Sequence, residues 1–386
     1  MTRARWLVPA ALAVALVAGY ATAARAGFYA TTDFRCFWGG ARAVVMDADP
    51  YDRPSWEAIV GRPTVEANGQ IVRICPDRYR YPLWTAVLTA PLGLVSLEPA
   101  AVAWAALNIA AVLFGIGWTW GVARGATGGA LYAVVVLSSQ PFWVLEVNGQ
   151  LGGLLFGAIA LELWLADRGQ LGSAGAVLAT LAAKPQLFAI YLPARVARAL
   201  VARDSRYVIG ALAAGLGLVI VSLALVPSWP AAWLSDVFGD RAGIHHRLAT
   251  AWDLGGGPAF AGAIILGVIA SCALLVGRRP LALPDFGGLL LAVSLFAAPY
   301  AWSYDFLALA LPWGLTLANS SRARAGWQLR LGVVAVASLL PWVLYAMAFQ
   351  RGEESLSAIV PAATAVLLAA SIRAAATRPS GGTTAH

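Results

Sequence analysis

The segment from residue 27 to residue 80 concentrates side chains that could act on a hydroxyl and on a phosphate. It contains seven arginines and seven of the 19 acids, namely Asp33, Asp47, Asp49, Asp52, Glu57, Glu66 and Asp77. A carboxylate can accept a proton from a hydroxyl, and the planar guanidinium of arginine can hold a phosphate through two contacts. Because functional residues often lie on connections between rigid elements, this segment is where we look first for chemistry.

Asp33 is the first acid of this segment, and two roles fit its position. Residues 33–46 have helical apolar spacing, which places Phe34, Phe37 and Trp38 on one face. This pattern indicates a helix that lies along the membrane surface with its aromatic face down. Asp33 stands at the N-terminus of that helix, where it could cap the helix or serve as a functional carboxylate stabilised by the helix dipole.

Lys184 is the single lysine among the 27 basic residues, and it lies in the apolar run 172–192. A charge in such a run is costly and normally faces the protein interior or a wet cavity. The alternative is that its long stem reaches the cytoplasmic interface. Pro185 follows directly and is expected to break the helix there.

Cys36 and Cys75 both fall in the segment 27–80, whereas Cys272 lies in an apolar run. Outside the cytoplasm the first two could form a disulfide, or both could be unpaired thiols. The three cysteines show no metal-ligand spacing, and His245-His246 has too few neighbouring ligands to indicate a metal site. The sequence contains no phosphate-cradling glycine loop, so we expect no metal, cofactor or nucleotide-sugar donor.

The composition of the chain determines what must position these residues. Of 386 residues, 60% are hydrophobic and only 12% are charged, and the mean hydropathy is +0.72. These values exclude an ordinary soluble protein and a disordered chain. The net charge of +8 comes from residues spread over short segments, which argues against a nucleic-acid partner. We therefore predict an all-α polytopic membrane protein surrounded by membrane lipids.

Apolar runs long enough to cross a bilayer of about 30 Å predict about twelve transmembrane helices, with a range of 10 to 13. They lie near 6–26, 81–97, 100–121, 128–146, 150–167, 171–194, 207–227, 256–276, 282–299, 303–319, 330–349 and 356–372. The first run also resembles a cleavable signal peptide because it ends in small residues at 21–26. Its length and the runs that follow favour an uncleaved helix.

Arginines beside the runs predict the orientation of the chain. They place both termini in the cytoplasm, with a flexible tail at 374–386, and they place 27–80 and 228–254 outside the membrane as the first and second extracytoplasmic loops. In this count Arg124 and Arg168 face outward, which the charge rule disfavours. A broken or re-entrant helix between 121 and 170 would change the sidedness there.

Several short motifs together resemble glycosyltransferase family 87, whose members belong to the GT-C class and use polyprenyl-phosphate sugars. They occur in the family's order over some 270 residues, each weak on its own: Thr32-Asp33-Phe34, Ala48-Asp49-Pro50-Tyr51, Arg80-Tyr81-Pro82-Leu83, Pro91-Leu92 with Trp104 and Asn108, Asn148-Gly149-Gln150, Lys184-Pro185-Gln186 and Pro299-Tyr300-Ala301-Trp302. One departure is Ser303, since family members often carry histidine soon after the tryptophan of the last motif. This departure leaves the partner of the base and the acceptor class open.

The resemblance implies transfer of a hexose, mannose in the best-known members, from a polyprenyl-phosphate sugar to a lipid or glycan acceptor. The reaction would take place on the outer face of the inner membrane, with inversion to an α-linkage. Asp33 then matches the catalytic base. Candidate contacts to the donor phosphate and the substrates are Arg35, Arg42, Arg80, Tyr81, Lys184, Gln186, His245, His246, Arg247, Tyr304 and Asp305. The rival functions are a secondary transporter, which would show paired broken helices in two repeated halves, and a lipid-linked oligosaccharide ligase or polymerase.

Overall fold

The computed structural model of the chain describes residues 7–25, 27, 29, 32–67, 70–122, 129–239, 248–278, 280–323 and 326–377. The first half contains α1 (Leu7–Arg25), α2 (Phe34–Val45), α3 (Arg53–Val60), β1 (Thr64–Ala67), β2 (Gln70–Arg73), α4 (Leu83–Gly93), α5 (Leu97–Val122), α6 (Gly129–Leu137), α7 (Gln140–Asn148), α8 (Gly152–Asp167) and α9 (Leu171–Thr180). The second half contains α10 (Tyr191–Val201), α11 (Ser205–Leu225), α12 (Trp229–Gly239), α13 (Gly257–Val276), α14 (Leu283–Ala297), α15 (Ala310–Ser320), α16 (Gly326–Val334), α17 (Leu340–Arg351) and α18 (Ile359–Ala376).

The described part of the chain is a helical, multi-span membrane protein. Five of its helices are long and apolar enough to cross a bilayer: α5, α11, α13, α16 joined to α17 through a π-turn, and α18 with the short turn before it. The pair α6 and α7 bends by 46° and counts as a sixth span if it is taken as one. The broken helix considered for residues 121–170 is therefore present.

The expected count of twelve full-length spans is not supported. Several apolar runs form helices too short to cross the bilayer alone, among them α4 with 11 residues and α14 with 15 residues. The run 171–194 divides into α9, two 3-10 turns and α10. Hydropathy averages over these breaks, and a short apolar helix is as well suited to a protein core as to lipid.

The described residues of the segment 27–80 form a folded unit that contains α2, α3 and the antiparallel pair β1 and β2, which is a departure from an all-α fold. The strands pair from Thr64 opposite Arg73 to Ala67 opposite Gln70. The side chains of Trp56 and Tyr79 are fully buried at its centre. A disulfide joins Cys36 of α2 to Cys75, with 5.5 Å between their Cα atoms.

Helix α2 forms as the spacing predicts, but its aromatic face is covered by protein and not by lipid. Phe34 and Phe37 are fully buried, and their rings contact the ring of Trp104 on α5 at 5.7 and 5.6 Å. A side chain at Gly93 of α4 would lie 2.4 Å from the carbonyl oxygen of Ala41, so glycine permits the close approach of α2 and α4. This contact fixes the helix that begins just after Asp33.

A buried ion pair also holds the helices together away from Asp33. Glu162 of α8 accepts hydrogen bonds from Arg195 of α10, from the hydroxyl of Tyr207 on α11 at 2.7 Å and from the hydroxyl of Tyr191 at 3.1 Å. Three donors satisfy the carboxylate, as a buried charge requires. This cluster therefore ties three helices together without any role in the candidate site.

We predict that replacing both Cys36 and Cys75 with alanine lowers the stability of the folded loop by about 3–4 kcal/mol, because the unfolded loop of some 40 residues regains chain entropy. The measurement is thermal unfolding of the purified protein in detergent. Cys272→Ala removes the free, buried thiol and is the control. An unchanged melting temperature in the double variant would contradict a structural role for the disulfide.

Candidate functional site

Asp33 occupies the N-cap position of α2, but its carboxylate makes no capping hydrogen bond. Its oxygen Oδ2 instead accepts a hydrogen bond from Nε2 of Gln150 at 2.6 Å. The capping interpretation is therefore wrong, since the carboxylate points away from its own helix. This leaves it half-buried between the loop 27–80 and the end of α7.

The position of Gln150 depends on the residue before it. Gly149 ends α7 with a φ of +65°, and a side chain there would come within 2.5 Å of Cβ of Phe34. Glycine adopts this backbone conformation without strain and leaves room for Phe34. The indole nitrogen of Trp104 donates to the carbonyl oxygen of Gly149 at 2.8 Å and fixes the turn. The Gln150 side chain is thereby held next to Asp33.

Lys184 determines which way the Gln150 amide faces. Its Nζ donates to Oε1 of Gln150 at 2.9 Å. Lysine has only donors, so the amide oxygen must face Lys184 and the amide nitrogen must face Asp33. The result is a continuous chain of hydrogen bonds from the ammonium group through the amide to the carboxylate.

The second partner of Lys184 is Asp305, whose Oδ1 lies 2.7 Å from Nζ. The two side chains are only 3% and 2% exposed, and the rings of Tyr304 and Tyr81 lie 5.1 and 5.9 Å from the ammonium group. Lys184 sits between the 3-10 turns Leu181–Ala183 and Pro185–Phe188, where the helix break predicted from Pro185 occurs. Its charge is held inside the protein, so the interpretation that it extends to the cytoplasmic interface is wrong.

The other carboxylate oxygen of Asp305 is also hydrogen-bonded. Its Oδ2 accepts the backbone N–H of Trp302 at 3.1 Å, at the start of the 3-10 helix Ser303–Leu309. The next N–H, that of Ser303, donates to Oε2 of Glu354 at 2.7 Å. The hydroxyl of Ser303 also accepts from Nε2 of Gln140 at 3.0 Å. No motif in the sequence singled out Glu354 or Gln140, and Gln150 was noted only as part of the motif Asn148-Gly149-Gln150.

Burial raises the pKa of the Asp33 carboxyl above its ordinary value, and the charge of Asp305 raises it further. The Gln150 hydrogen bond and the Lys184 charge lower this pKa but do not cancel the effect of burial. A carboxylate with a raised pKa is a better proton acceptor than one at the surface. The surroundings of Asp33 are therefore suited to general-base chemistry.

The predicted phosphate-binding arginines divide into two kinds. Nε of Arg35 donates to the carbonyl of Val60 at 2.7 Å, and Nη1 of Arg42 donates to the carbonyl of Gly93 at 2.8 Å. These two side chains support the fold of the loop. The side chain of Arg80 is exposed, although it too interacts with other groups of the protein.

Arg80 acts on a tyrosine that the carboxylates of the site also influence. Its charge acts on the phenol of Tyr300, as do the charges of Asp33 and Asp305. The ring of Tyr81, the next residue, contacts that of Phe37 at 4.6 Å. Arg80 therefore places a cation at the edge of the site.

The remaining predicted residues are Gln186 and three residues of the second extracytoplasmic loop. Gln186 is half-buried within the second 3-10 turn after Lys184. His245, His246 and Arg247 lie outside the described residues. Within the described ranges, no group of three His, Cys, Asp or Glu side chains could hold a metal ion.

An apolar cavity of about 340 Å³ lies between α4, α5, α8 and α9. Trp104, Leu151 and Ala183 belong to its lining, and the last two are the chain neighbours of Gln150 and Lys184. Leu88 and Leu107, which also line it, are 39% and 50% exposed. The cavity thus extends from the chain neighbours of two hydrogen-bonded residues to the outer surface of the helices.

The chain belongs to glycosyltransferase family 87, because the sequence profile of that family matches residues 79–320, well over half of the chain. Arg80, Tyr81, Gln150, Lys184 and Asp305 fall within the match, whereas Asp33 precedes it. The protein is thus a membrane glycosyltransferase. No curated protein matches the chain.

Among solved structures, the chain is similar to the crystal structure of ArnT from Cupriavidus metallidurans bound to undecaprenyl phosphate. The identity is 16%, the TM-score is 0.44, and the similarity covers 97% of this chain and 77% of that one.

We predict that Lys184→Met destabilises the protein by about 3–5 kcal/mol, because it leaves the buried carboxylate of Asp305 without its counter-charge. SDS titration of the protein in mixed micelles measures the effect. Adding Asp305→Leu should recover a substantial part of the loss, since the unpaired charge is then gone. If the two substitutions were simply additive, the ion pair would not be the constraint described here.

Proposed function

We propose that this glycosyltransferase moves mannose from a polyprenyl-phosphate sugar to a hydroxyl of a lipid or glycan acceptor, on the outer face of the inner membrane. The reaction inverts the anomeric carbon and forms an α-linkage. The observation that carries the proposal is the buried chain of contacts from Asp33 through Gln150 to Lys184 and Asp305. Family membership supports the reaction type. The apolar cavity next to these hydrogen-bonded residues supports a lipid-linked donor.

Asp33 serves as the general base. The acceptor oxygen attacks the anomeric carbon, Asp33 takes the proton of that hydroxyl, and the bond between the anomeric carbon and the phosphate oxygen breaks. The phosphate leaves with the bonding electrons. The raised pKa of Asp33 favours this proton transfer. The hydrogen bond from Gln150 leaves the second carboxylate oxygen, Oδ1, for the acceptor.

Positive charge is required to hold the donor phosphate and to stabilise it as it leaves. The charge of Lys184 is largely matched by Asp305, and its ammonium group is already bonded to two side chains. We propose that Lys184 holds Gln150 in place and supplies a positive charge on the side of Gln150 that faces away from Asp33. Arg80 is exposed, and its charge acts on Tyr300 together with the charges of Asp33 and Asp305, so we assign it the direct phosphate contact.

The isoprenoid tail of the donor would occupy the apolar cavity. The lining is almost entirely apolar, and it includes Leu151 and Ala183, the chain neighbours of Gln150 and Lys184. A tail that enters past Leu88 and Leu107 would bring its phosphate toward the hydrogen-bonded residues. Burial of a polyisoprenoid in such a groove is favourable at about 25 cal/mol per Å² of apolar surface.

Asp33→Asn is expected to lower the rate of mannosyl transfer by about 100-fold or more, because the amide cannot accept the proton of the acceptor. The Asn oxygen can still accept the hydrogen bond from Gln150, so the fold should persist. The assay measures transfer from radiolabelled polyprenyl-phosphate mannose to a total lipid extract of the native membrane, with the protein in nanodiscs.

The matched control for this variant is Asp47→Asn. Asp47 is an exposed acid of the same loop with a φ of +54°, a conformation that asparagine tolerates well. The Asp47→Asn variant should transfer mannose at the wild-type rate. Full activity of Asp33→Asn would exclude Asp33 as the base.

Arg80→Gln should raise the KM for the donor by about tenfold or more, because a charge-assisted contact to the phosphate is lost. The rate at saturating donor is expected to fall less. Arg53→Gln is the control, since Arg53 is 56% exposed and pairs with Glu57 and Asp77 within the loop. Equal donor KM values in the two variants would remove Arg80 from the phosphate site.

A further inference from the structure

Two consecutive backbone N–H groups at the start of the 3-10 helix Ser303–Leu309 are bound by two different carboxylates. The N–H of Trp302 donates to Asp305, three residues further along the same turn, and the N–H of Ser303 donates to Glu354, which lies 51 residues away. The first N–H groups of a helix have no partner within the helix. In this turn, a distant acid supplies one of the missing acceptors.

Glu354 is held where it can supply that acceptor. It stands between the end of α17 and the short 3-10 helix Ser355–Ala358, whose serines Ser355 and Ser357 are buried. Its carboxylate interacts with the backbone and the side chain of Ser303 and also with the charge of Asp305. Ser303 is only 2% exposed, so these interactions occur inside the protein.

The turn is fixed from a second side by Gln140. This residue is fully buried at the first turn of α7, and its Nε2 donates to the hydroxyl of Ser303 at 3.0 Å. Ser303 therefore contacts both α7, through Gln140, and the connection between α17 and α18, through Glu354. The side chain two positions later is Asp305, so the anchoring of Ser303 determines where the Asp305 carboxylate lies relative to Lys184.

From these contacts we infer that Glu354 is a positioning residue of the transfer site: it holds the turn at Ser303 so that Asp305 stays paired with Lys184. The inference rests on the proposed function for its catalytic meaning, but the geometry that it predicts can be tested without any substrate. Glu354 touches neither Lys184 nor Asp33 by hydrogen bond. It acts through Ser303 and Asp305.

The single lysine of the chain supplies the test. Lys184 is the one side chain with a primary amine, and an ammonium group locked in a buried ion pair reacts slowly with acylating reagents. The wild-type protein and its variants in nanodiscs are treated with an N-hydroxysuccinimide acetate ester. Acetylation of Lys184 is then followed over time by peptide mass spectrometry.

In Glu354→Ala we expect acetylation of Lys184 to be at least tenfold faster than in the wild type, and in Glu354→Gln an intermediate rate, since the amide oxygen can still accept from Ser303. Asp305→Ala sets the upper limit. Glu353→Ala, the adjacent acid, should retain the protection of the wild type.

A second label separates local release from general loosening. Cys272 is free and buried in α13, and its reaction with a maleimide should stay slow in every variant. The inference is overturned if Lys184 stays protected in Glu354→Ala. It is also overturned if acetylation of Lys184 increases only together with maleimide labelling of Cys272 in both Glu354 variants. Because neither label involves a donor or an acceptor, failure here is distinct from failure of the proposed reaction.

Discussion

The buried charge of Lys184 is the constraint on which the site depends. An ammonium group removed from water is tolerated only when it has a close counter-charge and its donors are satisfied. Asp305 and Gln150 meet both requirements, and they come from segments 121 and 34 residues away in the chain. Satisfying one lysine therefore brings the end of α7, the break after α9 and the turn after α14 into contact. Because lysine cannot accept a hydrogen bond, it also fixes the amide orientation that places a donor on Asp33.

The loop 27–80 supplies the carboxylate, and the helices supply its surroundings. Helix α2 determines where Asp33 lies. It packs closely on α4 through Gly93, and it places Phe34 against Trp104. The apolar cavity ends at the chain neighbours of Gln150 and Lys184. The hydrogen-bonded side chains and the apolar lining thus come from adjacent residues of the same backbone segments. This arrangement suits the proposed reaction between a lipid-linked sugar and a polar acceptor.

Some of this arrangement could be predicted from the sequence. A lone lysine in an apolar run indicated an interior charge, Pro185 indicated the helix break, and the aromatic spacing after Asp33 indicated α2. The number of spans could not be predicted, because hydropathy does not distinguish a short helix packed in protein from one that crosses lipid. The role of Glu354 could not be predicted either, since an acid in a short connection two residues after Gly352 gives no local sign of a partner 51 residues earlier.

The disulfide between Cys36 and Cys75 has a consequence for motion. It lies three residues beyond Asp33, while Gln150 holds the carboxylate from the other side. A group confined in this way keeps its orientation before any ligand arrives, so little reorganisation energy is spent at the moment of reaction. The opening and closing that substrate loading and product departure require must then come from other parts of the protein. The rate of those movements should be independent of the segment that carries the proposed base.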